Sequence, residues 1–297
     1  MLGDRALTRL RQVAALPDLG GGRYTLMREL GRGGMGVVYL AEDRDLGRTV
    51  ALKVFHLDDV DAALRERLRQ EARTLARLEH PNIVPVYDLG TAADGRLFYT
   101  MKFVEGQRLD HWATGPHTLQ ERLRIFERLC EAIAYVHACG LTHRDLKPAN
   151  IMVGSFGECF VMDWGLAKPA GETEPHIVGT PAYRAPEQAV AGAAADPRAD
   201  VFSLGRILDG LAGDAAPKPL SAIVTKAVSP SPADRYPCAK ELAADVLNYL
   251  DGLAVSAHRE TWLELLGRQM QRHQIVLLLI VTYVVVRTVI FLATRLH

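Results

Sequence analysis

"HRDLKPAN", His143 to Asn150, packs one acid, three potential cations and an amide into eight positions of a chain that is 48% hydrophobic. Taken alone, such a cluster reads as a solvated turn, because isolated charge runs favour water. Its neighbours change that reading. Upstream, "TLQERLRIFERLCEAIAYVHACG" sets apolar residues at three- and four-residue steps and stops on Gly140, the pattern of an amphipathic helix with a glycine end. Downstream stand "DWG" at Asp163–Gly165 and "GTPAYRAPE" at Gly179–Glu187.

Further upstream the period shifts from helix to strand. Between Tyr24 and Phe55, two runs rich in β-branched and aromatic residues, Gly36–Ala41 and Thr49–Phe55, flank the polar turn "EDRDLGR", a hairpin signal. Gly31, Gly33, Gly34 and Gly36 lie between the first strand and the second, where exposed backbone N–H groups suit phosphate oxygens. They lead into a strand rather than a helix, which argues against a dinucleotide fold. "DAALRERLRQEARTLARLEH" has helical spacing in Leu64, Leu68, Ala72, Leu75 and Leu78, with Glu71 inside it. "HPNIVPVYDLG" and "RLFYTMKFVEG" read as further short strands. A strand-rich part of about 80 residues thus precedes a helix-rich remainder, which predicts an α+β chain of two lobes with a ligand cleft between them.

Basic and acidic residues balance at 35 each, so no global field points to nucleic acid. Cys130, Cys139, Cys159 and Cys238 lack metal-ligand spacing and suit a reducing cytosol. Residues 1–22 carry no apolar core of secretory length, and Leu7, Leu10, Val13 and Leu16 fit a short amphipathic helix. Ile275 to Thr294 is different: 20 residues, apolar apart from Arg287 and a few hydroxyls, long enough to cross a bilayer as a helix. Arg287 costs roughly 2.5–3.5 kcal/mol there on insertion scales, which the apolar majority outweighs. Arg268, Arg272 and His273 precede the span, so residues 1–274 are expected on the cytoplasmic side of a single-pass cell-membrane anchor.

In order and spacing, "GRGGMGVV", "VALK", a helix glutamate, "HRDLKPAN", "DWG", "GTPAYRAPE" and "DVFSLG" resemble the motif set of the eukaryotic-like, bacterial-type serine/threonine protein kinases, over Tyr24 to about Leu250. The resemblance implies a bilobal kinase fold: a β-rich N-lobe at about 23–104 and a mostly helical C-lobe at about 105–251, followed by a juxtamembrane linker (252–274), the transmembrane helix (275–294) and a short tail (295–297). It implies ATP as phosphoryl donor, Mg2+ (or Mn2+) as cofactor, protein Ser/Thr hydroxyls as acceptors, and autophosphorylation. A homodimer is left open.

By the same resemblance, Gly31, Gly33 and Gly36, with Leu30 and Val38 beside them, fold over the nucleotide. Lys53 holds its phosphates and pairs with Glu71. Met101, Phe103 and Val104 form the gatekeeper and hinge, whose main chain meets adenine. Asp145 orients the acceptor hydroxyl and receives its proton, Lys147 neutralises the moving phosphoryl group, and Asn150 and Asp163 hold the metal. His143 is expected to pack, Asp200 to anchor the loop, and Glu187 to meet Arg235. Thr173 is the candidate phosphosite facing Arg144, and Thr180 lies beside Asp145.

Four departures stand out: Trp164 where the family usually has phenylalanine, Lys102 where it often has an acid, Arg184 before "APE", and a short stretch between Asp200 and Arg235 that lacks the usual substrate-docking helix. The competing reading is a pseudokinase scaffold that binds nucleotide without efficient transfer. Lys53, Glu71, Asp145, Lys147, Asn150 and Asp163 together favour the enzyme. A small-molecule phosphotransferase is a third class, disfavoured by Lys147 and "GTPAYRAPE".

Overall fold

The computed structural model describes residues 16–259 apart from 34–35, 56–65, 67–68, 70–71, 74, 165–166 and 174–177, together with 262, 279 and 282–287. Glu71, the proposed helix at 7–16 but for Leu16, and most of 275–294 therefore lie outside the described residues.

Five strands open the chain: β1 (Tyr24–Gly33), β2 (Gly36–Asp43), β3 (Arg48–Phe55), β4 (Val86–Thr91) and β5 (Leu97–Lys102). They form one antiparallel sheet in the order β1-β2-β3-β5-β4. In the central strand β3, six consecutive residues from Val50 to Phe55 are buried. That run carries Lys53 into the interior on an apolar strand, where an ammonium needs a partner. Asp43, at the end of β2, is fully buried and takes a two-pronged hydrogen bond from Arg23, 2.7 Å at each oxygen, with Arg48 behind it at 3.4 Å. The polar turn expected between β2 and β3 is Arg44–Gly47.

The glycines sit differently from the sequence expectation of a turn between strands. Gly31 and Gly33 are part of β1, in register with Val38 and Gly36. A Cβ at Gly36 would lie 2.2 Å from the Val54 carbonyl oxygen, so its glycine is demanded by the sheet itself. At Gly31 and Gly33 a Cβ would meet nothing within 4 Å, which leaves their faces open to a ligand.

Two short elements, β6 (Gly106–Arg108) and α1 (Leu109–Trp112), lead to the helical lobe. Helix α2 (Leu119–Ala138) begins with a reciprocal cap: Thr118 Oγ1 accepts from the Glu121 N–H at 3.2 Å, and Glu121 accepts from the Thr118 N–H at 2.7 Å. Its apolar stripe, including Leu123, Phe126, Leu129, Ile133 and Val136, is wholly buried. Each such side chain contributes about 1.5–3 kcal/mol relative to exposure. The stripe packs against α3 (Pro197–Ala212) and α5 (Ala239–Leu250), and α3 in turn against α4 (Lys218–Ala227). Gly205 lets α3 and α4 touch, since a Cβ there would lie 2.7 Å from that of Ala227. Only Gly213 to Pro217 separates α3 from α4, and none of these five residues is helical.

Two acids, half-buried Glu187 and buried Asp245, tie down what the helices leave loose. Glu187 pairs with Arg235 through 2.6 and 2.8 Å bonds, and the same guanidinium donates to three carbonyls, of Arg198, Ser229 and Pro230. Asp245 on α5 accepts from the Tyr236 hydroxyl, the Ser256 N–H and the Ser256 hydroxyl, each at 2.7 Å, and so straps the segment after α5 to the lobe. Among the described residues no helix is long and apolar enough to cross a membrane. Leu279 and Thr282–Arg287, the described part of 275–294, are helical and exposed.

Candidate active site

The polar octet follows β7 (Leu141–Thr142), the strand that succeeds α2. Its shape is set from α3. The fully buried carboxylate of Asp200 accepts from the His143 N–H and the Arg144 N–H, both at 2.8 Å, and faces His137 Nε2 at 2.9 Å. These bonds hold Arg144 at φ 71°, in the left-handed region. Burial opposes ionisation of Asp200, but the His137 contact and the two amides outweigh it and keep its pKa below the usual value. His143 is buried, and that burial keeps its imidazole below its ordinary pKa. Its Nε2 lies 3.2 Å from the Met162 carbonyl and its Nδ1 accepts from the Asp145 N–H at 3.3 Å, so the neutral ring carries its proton on Nε2. His143 braces the loop.

Asp145 is the centre of the arrangement. Its Oδ1 accepts from the Thr180 N–H at 2.9 Å and the Thr180 hydroxyl at 2.8 Å. Its Oδ2 accepts from Lys147 Nζ at 2.6 Å and, more weakly, from Asn150 Nδ2 at 3.3 Å. Lys147 also reaches Thr180 Oγ1 at 2.9 Å, and Asn150 Nδ2 donates to the Asp145 carbonyl at 2.9 Å. Asn150 is held by a 3₁₀ turn over Pro148–Asn150, and with its amide nitrogen so engaged its Oδ1 is left as a hard oxygen donor.

Lys53 arrives from the other lobe. Its Nζ stands 3.1 Å from Asp163 Oδ1 across 110 positions of sequence. The lysine side chain is 10% exposed and the aspartate 45%, so the pair sits at the lip of the cleft with the cation inside. Asp163 has φ 58°, in the left-handed region, as Arg144 does. Desolvation works against its charge, yet Lys53 prevails and the carboxyl stays below its usual range. Asp163 and Asn150 together present carboxylate and amide oxygens, a donor set that suits a hard divalent cation completed by phosphate and water. No group of three or more acidic, His or Cys side chains able to hold a metal occurs among the described residues.

Above this floor lies an apolar slot. Val84, Val104 and Phe160 form a buried cluster with Met101, Met152 and Met162 packed on it. Met101 pairs with Ala51 across β3 and β5, and Val38 pairs with Lys53 across β2 and β3. Leu30 is half-buried at a β-bulge between Glu29 and Gly31. Lys102 uses its N–H on the Pro85 carbonyl at 3.1 Å and lays its ammonium 4.4 Å from the Phe160 ring centre.

The protein kinase domain model matches residues 24–228, more than half of the chain. The chain belongs to the protein kinase family. It is 40% identical over 227 residues to serine/threonine-protein kinase PknD of Chlamydia muridarum (63% of this chain, 24% of PknD). It is 40% identical over 246 residues to the DNA damage-responsive serine/threonine-protein kinase RqkA of Deinococcus radiodurans (77% and 36%). Against serine/threonine-protein kinase PrkC of Bacillus subtilis it is 34% identical over 277 residues (81% and 42%). The chain thus spans between a quarter and about two fifths of the length of these relatives. Membership of the family implies ATP, a divalent cation and protein acceptors in general terms.

Within this kinase domain the structure brings Lys53, Asp145, Lys147, Asn150 and Asp163 to one end of the cleft. Met101 and Val104 meet in the slot, and Phe103 lies between Lys102 and Val104 on the connection to β6. The expected Lys53–Glu71 pair lies outside the described residues. Thr173 is exposed and makes a single bridge with Ala194. A small recess is lined by Ala194, Arg144, Gln188 and Asp196. Met152, Phe160 and Met162 carry no chemical mark in the sequence, being apolar residues on or beside short strands. Their spacing about the β8 (Ile151–Gly154) and β9 (Cys159–Val161) hairpin was the available signal.

Proposed function

We propose that this chain is an active serine/threonine protein kinase that transfers the γ-phosphoryl group of ATP, with Mg2+ or Mn2+, to protein Ser and Thr hydroxyls. The observation that carries this reading is the joint hold on Asp145 by Thr180, Lys147 and Asn150, with Lys53 and Asp163 3.1 Å apart beside it. Such pre-set polar groups cost no reorganisation when charge moves.

The acceptor hydroxyl hydrogen-bonds to Asp145. As its oxygen bonds to the γ-phosphorus, the bond from that phosphorus to the β–γ bridging oxygen breaks, ADP leaves, and the hydroxyl proton passes to Asp145. Lys147, released toward the phosphoryl oxygens, offsets their charge. Lys53 steadies the remaining phosphates, and Gly31, Gly33, Gly36, Leu30 and Val38 cover them. A divalent cation held by Asn150 and Asp163 would supply further neutralisation of phosphate charge. Adenine occupies the slot, bonded by the main chain at Met101–Val104, with Glu71 as the partner of Lys53.

The kinase domain in this reading covers 23–251, divided near 104, with 1–22 as an extension. The apolar run 275–294 anchors it, single-pass, to the cell membrane, with 252–274 as linker, 295–297 as tail and the domain on the cytoplasmic side. Phosphorylated Thr173 is the activating switch, drawn to Arg144 across the recess that Ala194 shares. Mass-spectrometric mapping of the purified full chain after incubation with Mg·ATP tests the proposal. Phosphate on Thr173 in the wild type and none in Lys53→Met is expected. An unmodified wild-type chain that also fails on protein acceptors would refute it.

A further inference from the structure

We propose that Arg184 selects substrates carrying an acidic residue next to the phosphorylated Ser or Thr. This deepens the kinase reading of the same site and rests on it. The acceptor hydroxyl has to sit at Asp145, and one wall of that position is the turn that begins at Thr180. Thr180 binds Asp145 with both its N–H and its hydroxyl, so the turn and the carboxylate are one rigid unit. The Tyr183 and Arg184 N–H groups both bond back to the Thr180 carbonyl at 3.0 Å, which coils the turn and brings Arg184 over its start.

The turn is also tied from below. Ser203 Oγ donates to the Tyr183 carbonyl at 2.8 Å, and Arg206 Nε reaches the Ala182 carbonyl at 3.4 Å, both from α3. Gly179, with φ 87°, lies alongside the Arg184 stem: a Cβ on it would be in ordinary contact with Arg184 Cγ at 3.7 Å, while the Arg144 carbonyl oxygen at 2.9 Å is what excludes one. Arg184 is therefore half-buried and positioned along its stem.

Its charge is what remains to be used. The neighbouring cations are engaged, Lys147 by Asp145 at 2.6 Å and Arg206 by Asp209 at 3.1 Å. No carboxylate among the described residues pairs with Arg184. Arg184 is half-buried and one turn on from Thr180, and its planar guanidinium discriminates between acid and base on the incoming chain by charge and by two-pronged geometry. A lysine there would meet the like charge of Arg184.

The test is a peptide library with a central Ser or Thr, one flanking position fixed at a time and the rest degenerate, phosphorylated by the full chain. An adjacent Asp or Glu is expected to exceed Lys at the same position by about tenfold, which corresponds to about 1.4 kcal/mol. Arg184→Glu should reverse that ratio and Arg184→Met should flatten it. The readout is a ratio within each variant, so partial loss of folded protein leaves it intact. Vigorous transfer with no flanking preference, or a preference unchanged in Arg184→Glu, overturns the role of Arg184 while the kinase reading stands. No transfer to any peptide overturns both.

Discussion

Thr180 holds Asp145 twice, through its backbone N–H at 2.9 Å and its hydroxyl at 2.8 Å, both on Oδ1. The hydroxyl donates to the aspartate and accepts from Lys147 at 2.9 Å, so one oxygen sets the spacing of both charged groups. Thr180→Ala removes that oxygen and leaves the N–H contact. A fall in kcat of about 10–100-fold is expected, with Thr180→Ser within about threefold of wild type and the KM for ATP little changed. Equal losses in the Ser and Ala variants would assign the effect to the lost methyl group.

Trp164 is 3% exposed, and among the described residues its indole Nε1 finds no hydrogen-bond partner. The ring packs at 4.6 Å from His143, so the apolar plug is kept while a buried donor goes unmet. An unmet buried donor costs about 1–3 kcal/mol. Trp164→Phe trades that cost against a smaller ring. Thermal unfolding should show a stability equal to or above wild type. A loss of about 3 kcal/mol or more, the usual outcome of emptying a core site, would contradict this balance.

Asp43 should contribute to acid sensitivity from the small lobe. The Arg23 hydrogen bonds hold Asp43 at a pKa of about 2, against its burial and with help from Arg48. The folded state keeps this carboxylate ionised where an unfolded chain, at about 3.8, already takes up a proton. The stabilisation is therefore complete above the ordinary carboxylate range and is lost as pH falls toward about 2. Urea midpoints compared at about pH 6 and about pH 3 should drop less for Asp43→Asn than for wild type. The same drop in both would remove Asp43 from the account.

The polar crowding of His143–Asn150 and the apolar strand around Lys53 mark these stretches in the sequence. The roles of Asp145, Lys147, Asn150, Lys53 and Asp163 come instead from the resemblance to the kinase motif set, because residues far apart in the chain carry no sign of their convergence. The paired strands around Lys53 and the helix ending before Gly140 follow from hydrophobic period, and the structure has them at Gly36–Asp43, Arg48–Phe55 and Leu119–Ala138. The glycines were harder. Gly36 answers to the backbone of Val54, a contact set by strand register that the spacing of glycines cannot reveal. The resemblance sets Thr180 beside Asp145, but its two bonds to one carboxylate oxygen depend on a turn coming back over 35 residues. Asp245 carried no signal, because its partners Tyr236 and Ser256 acquire meaning only once the segment after α5 folds back.

The most direct measurement is the rate of γ-phosphate transfer to a protein acceptor by wild type and by Asp145→Asn, at saturating Mg·ATP and with nucleotide affinity measured alongside. The account predicts a loss of about 10²–10⁴-fold in kcat with ATP still bound, since the change removes the proton acceptor and the anchor of Lys147 but no contact to the adenine slot. Transfer by Asp145→Asn at the wild-type rate would contradict it.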